Sequence, residues 1–227
     1  MAQRVKRALW NLLVIALVLA TIVVAPTWET FFAAIVAVIL DRVGRVDWRV
    51  DFGLRPIRFR NALLTIAGGV ALFFAVKLLL QPLCDLITHS VRNLHSFDRI
   101  RGRPIAATLL ILKTMLLAGL CEEIIFRGTV QQRLRLILGG SARTNTLLSL
   151  ILAAAIFTSF HWYQGPSGLL LVGILALIDC TVYVMTDYTL TYTVILHLVY
   201  DTLALSAIAA SYDLVMQDWV QRILGRV

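Results

Sequence analysis

Apolar runs of membrane-crossing length, separated by short polar or basic breaks, set the pattern of the chain. Residues 8–25 form the first, after Arg4, Lys6 and Arg7. This run is longer than the core of a secretory signal and has no A-x-A cleavage pattern, which predicts a retained helix. Pro26 and Thr27 break it, and residues 28–40 read as the return arm of a hairpin or a short re-entrant segment. In residues 41–60, Arg42, Arg45, Arg49, Arg55, Arg58 and Arg60 alternate with valines and aromatic residues, which suits an interfacial cytoplasmic segment. Residues 61–80 make the next span. Gly68-Gly69 is set for close helix approach, Lys77 is near enough to an end to snorkel, and Pro82 is the expected stop.

The mixed stretch 83–103 reads as an extramembrane or interfacial helix and loop, with His89 and His95 solvated. Pro104 opens a run that nothing breaks until Gly139-Gly140, with Gly128 as a soft point. Residues 146–162 follow, ended by Gln164-Gly165-Pro166; residues 168–185 carry a single acid, Asp179; a link at 186–190 leads to residues 191–210. The tail places Leu214, Val215, Trp219 and Ile223 at helical spacing, as in an amphipathic helix lying on a membrane. The pattern predicts an all-α protein, a polytopic transmembrane helical bundle of about six to seven helices, forming one integral membrane domain over residues 1–227.

Composition agrees. Hydrophobic residues make up 59% of the chain, charged ones 15%, and mean hydropathy is +0.84, far more apolar than a soluble domain. The net charge of +8 does not point to nucleic acid, because the arginines cluster at the ends of apolar runs, where orientation and anionic headgroups account for them. If each run crosses once, the N-terminus, residues 41–60 and the turn near Arg133, Arg135 and Arg143 share one face, which the positive-inside rule makes cytoplasmic. Cys84, Cys121 and Cys180 lack the spacing of a disulfide framework or a CxxC site. Cys121 is a poor nucleophile, since adjoining carboxylates disfavour a thiolate.

Against this background a few ionisable groups stand out, because charges within lipid are costly and mark functional candidates. Glu122, Glu123 and Arg127 interrupt the long run that starts at Pro104. Glu123 and Arg127 are four apart with the acid first, a favourable pairing on one helix face, and Glu122 projects elsewhere. Phe157 with His161, and His197 with Asp201, repeat the same spacing on later helices. Glu122 lies as far before Leu138 as His161 lies after Asn145, so an antiparallel hairpin brings them level. The expected result is a polar intramembrane cavity nearer the cytoplasmic face. There Glu122, its basicity raised by apolar surroundings, and His161 hold a water, His197 stabilises an oxyanion, Asp201 orients His197, Phe157 packs beneath the imidazole, and Arg127 offsets Glu123. Lys113 and Asp179 either line this cavity or bond to neighbouring helices.

Glu122-Glu123-x-x-x-Arg127, Phe157-x-x-x-His161 and His197-x-x-x-Asp201, in that order on successive apolar helices, resemble the motifs of the CAAX protease and bacteriocin-processing family. The resemblance covers residues 104–210 and marks them as a catalytic core. It implies an intramembrane endopeptidase for membrane-associated peptides or proteins, with Glu122 and His161 activating water, His197 and Asp201 at the oxyanion-stabilising positions, and neither metal nor other cofactor. Where the family's eukaryotic endoprotease has asparagine, this chain has Asp201, which donates a hydrogen bond only when protonated. The residue types alone also admit a zinc site of His161, His197 and Glu122, though no HExxH is present, and a non-catalytic immunity, scaffold or transport protein. The short chain is expected to come from a prokaryotic cytoplasmic membrane, with the bilayer and a peptide substrate as partners.

Overall fold

The structure, a computed structural model, describes residues 2–25, 28–44, 53–138 and 141–223. Pro26, Thr27, Gly139, Gly140, residues 45–52 of the basic segment expected over 41–60 and the side chain of Ile223 lie outside the described residues.

Helices α1 (Ala2–Val24) and α2 (Glu29–Val43) form a hairpin. Helix α3 spans Phe59–Thr88, α4 Pro104–Ile137, α5 Ala142–Ser159, α6 Gly165–Met185, α7 Leu190–Ala209 and α8 Tyr212–Ile223. Short 3₁₀ turns occupy His95–Ile100 and Trp162–Gln164. No strand occurs among the described residues. Among the described residues, six helices are long and apolar enough to cross a membrane: α1, α3, α4, α5, α6 and α7. α2, with 15 residues, is not among them. The chain is thus an all-α polytopic bundle.

Local chemistry sets several helix starts. Pro104 and Pro166 stand in the first turns of α4 and α6, where a missing N–H costs nothing. Ser141 caps α5, its hydroxyl accepting from the Thr144 N–H at 3.2 Å. Pro82 does not end its helix. The five residues before Gln81 form a π-helical turn, Val76–Leu80, and this widening accommodates the ring so that α3 continues to Thr88. Nor does Gln164-Gly165-Pro166 end the fifth helix, which stops at Ser159; Gly165, at φ 74°, instead opens α6.

The bundle has two recognisable ends. At one, Arg133 of α4 donates to Asn11 of α1 and Asp41 of α2, the Leu190 N–H donates to the Gly53 carbonyl, and Thr146 bonds Tyr188. At the other, the Gly102 N–H donates to the Ala209 carbonyl, the Asn93 N–H to the Gln164 carbonyl, and Arg101 grips Asp213 of α8 through two 2.7 Å bonds. Arg101 and His95 beside Asp98 hold its carboxyl below the usual carboxylate range. His89 and His95 are exposed, as expected of a loop.

The main core forms where α1, α2, α4, α5 and α6 meet, with Val14, Val18, Ala33, Ala37, Ile125, Ala153 and Ala176 excluded from solvent. α7 packs against α3 and α4 through glycines: a Cβ at Gly69 would stand 2.9 Å from Val199 Cβ, and one at Gly119 2.2 Å from Leu198 Cδ2. Gly68 has open space instead. Outward, α3 and α4 present Phe59, Leu64, Ile105 and Leu109 more than 60% exposed, an apolar exterior that suits lipid. On α8, Leu214, Val215 and Trp219 are exposed while Asp213 is buried, in keeping with a helix lying at the interface.

Candidate active site

The second half of α4 is not a regular α-helix. Two π-helical stretches, Leu117–Glu122 and Ile124–Gln131, flank Glu123, so the backbone is wide where the charged residues occur. Such widening inside α-helices is frequent at functional sites.

Glu123 and Arg127 are both fully buried and pair at 3.0 Å. Arg127 also donates to Asp179 of α6 at 3.2 Å and lies over the Phe157 ring, 4.8 Å from its centroid. Glu123 does more than balance Arg127: its Oε1 is 2.8 Å from His197 Nδ1, while His197 Nε2 lies 3.4 Å from Asp201 Oδ2. His197 is therefore held chiefly by Glu123, and Asp201 is a looser neighbour. Both ring nitrogens face carboxylates, and only the doubly protonated ring donates to both.

His161 lies beyond the end of α5 in the following turn, so its spacing from Phe157 is not a shared helix face. The contact survives: the rings are 4.6 Å apart and His161 Nδ1 is 3.0 Å from the Phe157 carbonyl oxygen. A carbonyl only accepts, so Nδ1 carries the proton and Nε2 of the neutral ring keeps its lone pair. Tyr163 stacks on His161 with centroids 6.0 Å apart.

Glu122, His161, His197 and Asp201 all line one cavity of about 300 Å³, at the small end of ligand pockets, which run from roughly 300 to 1,000 Å³. Among the described residues nothing hydrogen-bonds the Glu122 carboxylate, in contrast to Glu123. The cavity also borders Lys77, Arg92, Tyr163, Gln164, Asp179 and Tyr200, and reaches Glu29 and Lys113. Lys113 lies 5.2 Å from the Trp28 ring centroid. Through Arg92, Leu94, Phe97 and Gln164 the cavity extends toward the end of the bundle away from Arg133, Asp41 and Asn11. The expected position, nearer the face of those basic residues, is corrected: His161 sits at the far end of α5 and carries the site with it.

Sequence reasoning placed Glu122, His161, His197 and Asp201 together, and they share this cavity. It missed the bond from Glu123 to His197, the bond from Arg127 to Asp179, and the contributions of Arg92 and Gln164. It also placed Lys77 at a helix end, whereas Lys77 is buried mid-span and faces the cavity. The signal for Asp179 was present, as the only charge in an apolar helix; Arg92 was masked by other arginines in its loop.

Among the described residues, Glu123, Asp179 and His197 offer ligand atoms all within 4.8 Å of one another, a spacing that suits a metal. Arg127 bonds both carboxylates, so a guanidinium already supplies the positive charge there. The set Glu122, His161 and His197 does not converge in this way.

Fold and site together define a polytopic helical membrane protein with an acid and imidazole cluster in a cavity within the bundle. Residues 104–203 match the family described as "Rce1-like: Type II CAAX prenyl endopeptidase Rce1-like". The match bears out the resemblance to the CAAX protease and bacteriocin-processing family across α4 to α7, and points to a CAAX-type intramembrane endopeptidase, a peptide hydrolase acting on a peptide or protein at the membrane. No curated protein and no solved structure matches the chain.

Proposed function

We propose that the protein cleaves membrane-associated peptides or proteins by a metal-independent reaction in which Glu122 is the general base, with residues 104–210 as the catalytic core. The observation that carries this reading is the pair of unengaged acceptors on one cavity, the Glu122 carboxylate and His161 Nε2. A water between them donates one hydrogen to each and turns a lone pair toward a peptide carbonyl. As oxygen attacks, Glu122 takes the proton and negative charge develops on the carbonyl oxygen. The His197 Nε2–H, only loosely held by Asp201 at 3.4 Å, donates to that oxyanion. Collapse of the tetrahedral intermediate breaks the C–N bond, and the proton on Glu122 passes to the leaving amine. Asp201 orients His197 together with Glu123, and Phe157 supports both the His161 ring and Arg127.

The metal-free form of the reaction draws support from Arg127, which bonds the two carboxylates of the converging donor set. The basic residues near the N-terminus, with Arg133, Arg135 and Arg143, favour a cytoplasmic N-terminus in a prokaryotic membrane. Glu122→Gln is expected to abolish peptide cleavage by purified protein in nanodiscs with an unchanged melting profile, and full activity in this variant would refute the assignment. In the same assay a chelator should leave activity intact; loss on chelation, with recovery on added zinc, would establish the metal-dependent alternative.

A further inference from the structure

Lys77 is the least expected residue in the bundle. It stands mid-span on α3 with 8% of its surface exposed, in the π-helical turn Val76–Leu80, and it lines the same cavity as Glu122. Among the described residues no carboxylate lies within ion-pair distance of it. Of the acids whose charge acts on it, Asp85 accepts from Gln81 at 2.8 Å and from Ser167, and Asp213 is held by Arg101; Glu122 and Asp201 line the same cavity but form no ion pair with Lys77. An ammonium within a membrane span and without a counter-charge has a large solvation deficit, and such groups mark ligand sites.

Arg92 also lines the cavity, and it is placed with care. Its Nε donates to Gln164 Oε1 at 2.8 Å, and the Gln164 carbonyl accepts from the Asn93 N–H at 2.9 Å. This ties the guanidinium to the turn that carries His161. Gly168 makes room, since a Cβ there would fall 3.2 Å from Arg92 Cγ and 2.4 Å from Gln164 Cβ. With Nε on Gln164, the terminal guanidinium nitrogens are near Tyr200, which lines the same cavity.

We propose that Lys77 and Arg92 form a subsite for a carboxylate of the peptide substrate, either its C-terminus or an acidic side chain near the cut. Lys77 supplies the missing partner for an anion in an apolar cavity, and Arg92 adds planar donors beside the His161 turn. The site rests on the peptidase reading for its location relative to the scissile bond, but binding at it does not require cleavage. Both residues lie outside the segment 104–203 that matches the family.

The test uses a pool of hydrophobic decapeptides prepared as free acids, as C-terminal amides, and as amides with one aspartate beyond the middle of the peptide. Binding is measured on the Glu122→Gln protein in nanodiscs, and cleavage on the protein with Glu122 intact. The peptide whose carboxylate occupies the subsite, the free acid or the aspartate-bearing amide, should bind about 10- to 100-fold more tightly than the plain amide, and KM should differ by the same ratio with kcat nearly equal. Lys77→Met should bring the ratio of the two peptides' binding constants close to 1, and Lys77→Arg should retain the preference. Recovery of binding by the aspartate-bearing amide assigns the anion to a side chain; no recovery assigns it to the terminus. Equal binding of all three peptides, or a Lys77→Met variant that weakens acid and amide alike, would overturn the subsite. An acid preference in binding without cleavage of any peptide would leave the subsite standing and overturn the peptidase reading.

Discussion

Arg127 exposes no part of its side chain, yet it meets two carboxylates and an aromatic face. Removing one member of such a cluster strands the others. Arg127→Met should cost about 3–5 kcal/mol, because Glu123 and Asp179 are then buried close together without the guanidinium that bonds both. Thermal unfolding in detergent checks this, and the double variant Arg127→Met/Asp179→Asn should recover part of the loss. The spacing of Glu123 and Arg127 was readable from the chain, because i,i+4 pairing is local. The bond from Glu123 to His197 was not, since it depends on how α4 and α7 rotate against each other. His161 shows the converse: its chemistry was legible, but its place in a turn was not, because the apolar run continues through Phe160 and Trp162 with no breaking residue at Ser159.

At the scale of elements, the approach of α7 to α4 decides whether His197 reaches Glu123. Gly119 sets that approach, three residues ahead of Glu122 and directly against Leu198, the neighbour of His197. Gly119→Val should therefore push the helices apart, lower stability by roughly 1–3 kcal/mol and reduce cleavage. Leu198→Ala in the same chain should restore much of both, a coupling measurable by a double-mutant cycle. The number and order of the long helices followed from apolar run length. The π-helical stretches on α3 and α4 did not, because they answer to packing around Lys77, Glu122 and Arg127 rather than to propensity. Pro82 illustrates the difference: a helix breaker in isolation, it is absorbed by a wide turn just before it.

For the whole molecule, the two ends of the bundle give an orientation that can be measured. Cys84, Cys121 and Cys180 are buried, so the native chain offers few accessible thiols. A cysteine in place of Ser141, at the Arg133 end, and one in place of Ser96, at the cavity end, should react with a membrane-impermeant maleimide from opposite sides of sealed vesicles. With a cytoplasmic N-terminus, Ser141→Cys is labelled only in inside-out vesicles, and labelling of both from one side would contradict the bundle topology. The charge bias along the chain was a sound guide to which segments share an end, but not to where the cavity lies, since that depends on where α5 stops. The hairpin of α1 and α2 has a consequence of its own. Val14, Val18, Ala33 and Ala37 complete the packing around Ile125, and Arg133 fastens both arms of the hairpin to α4. The residues bearing the motifs are thus not a detachable module: excised from Pro104 onward, they would lose a whole wall, and inheritance or transplantation of the chemistry has to carry the motif-free N-terminal segment along with it.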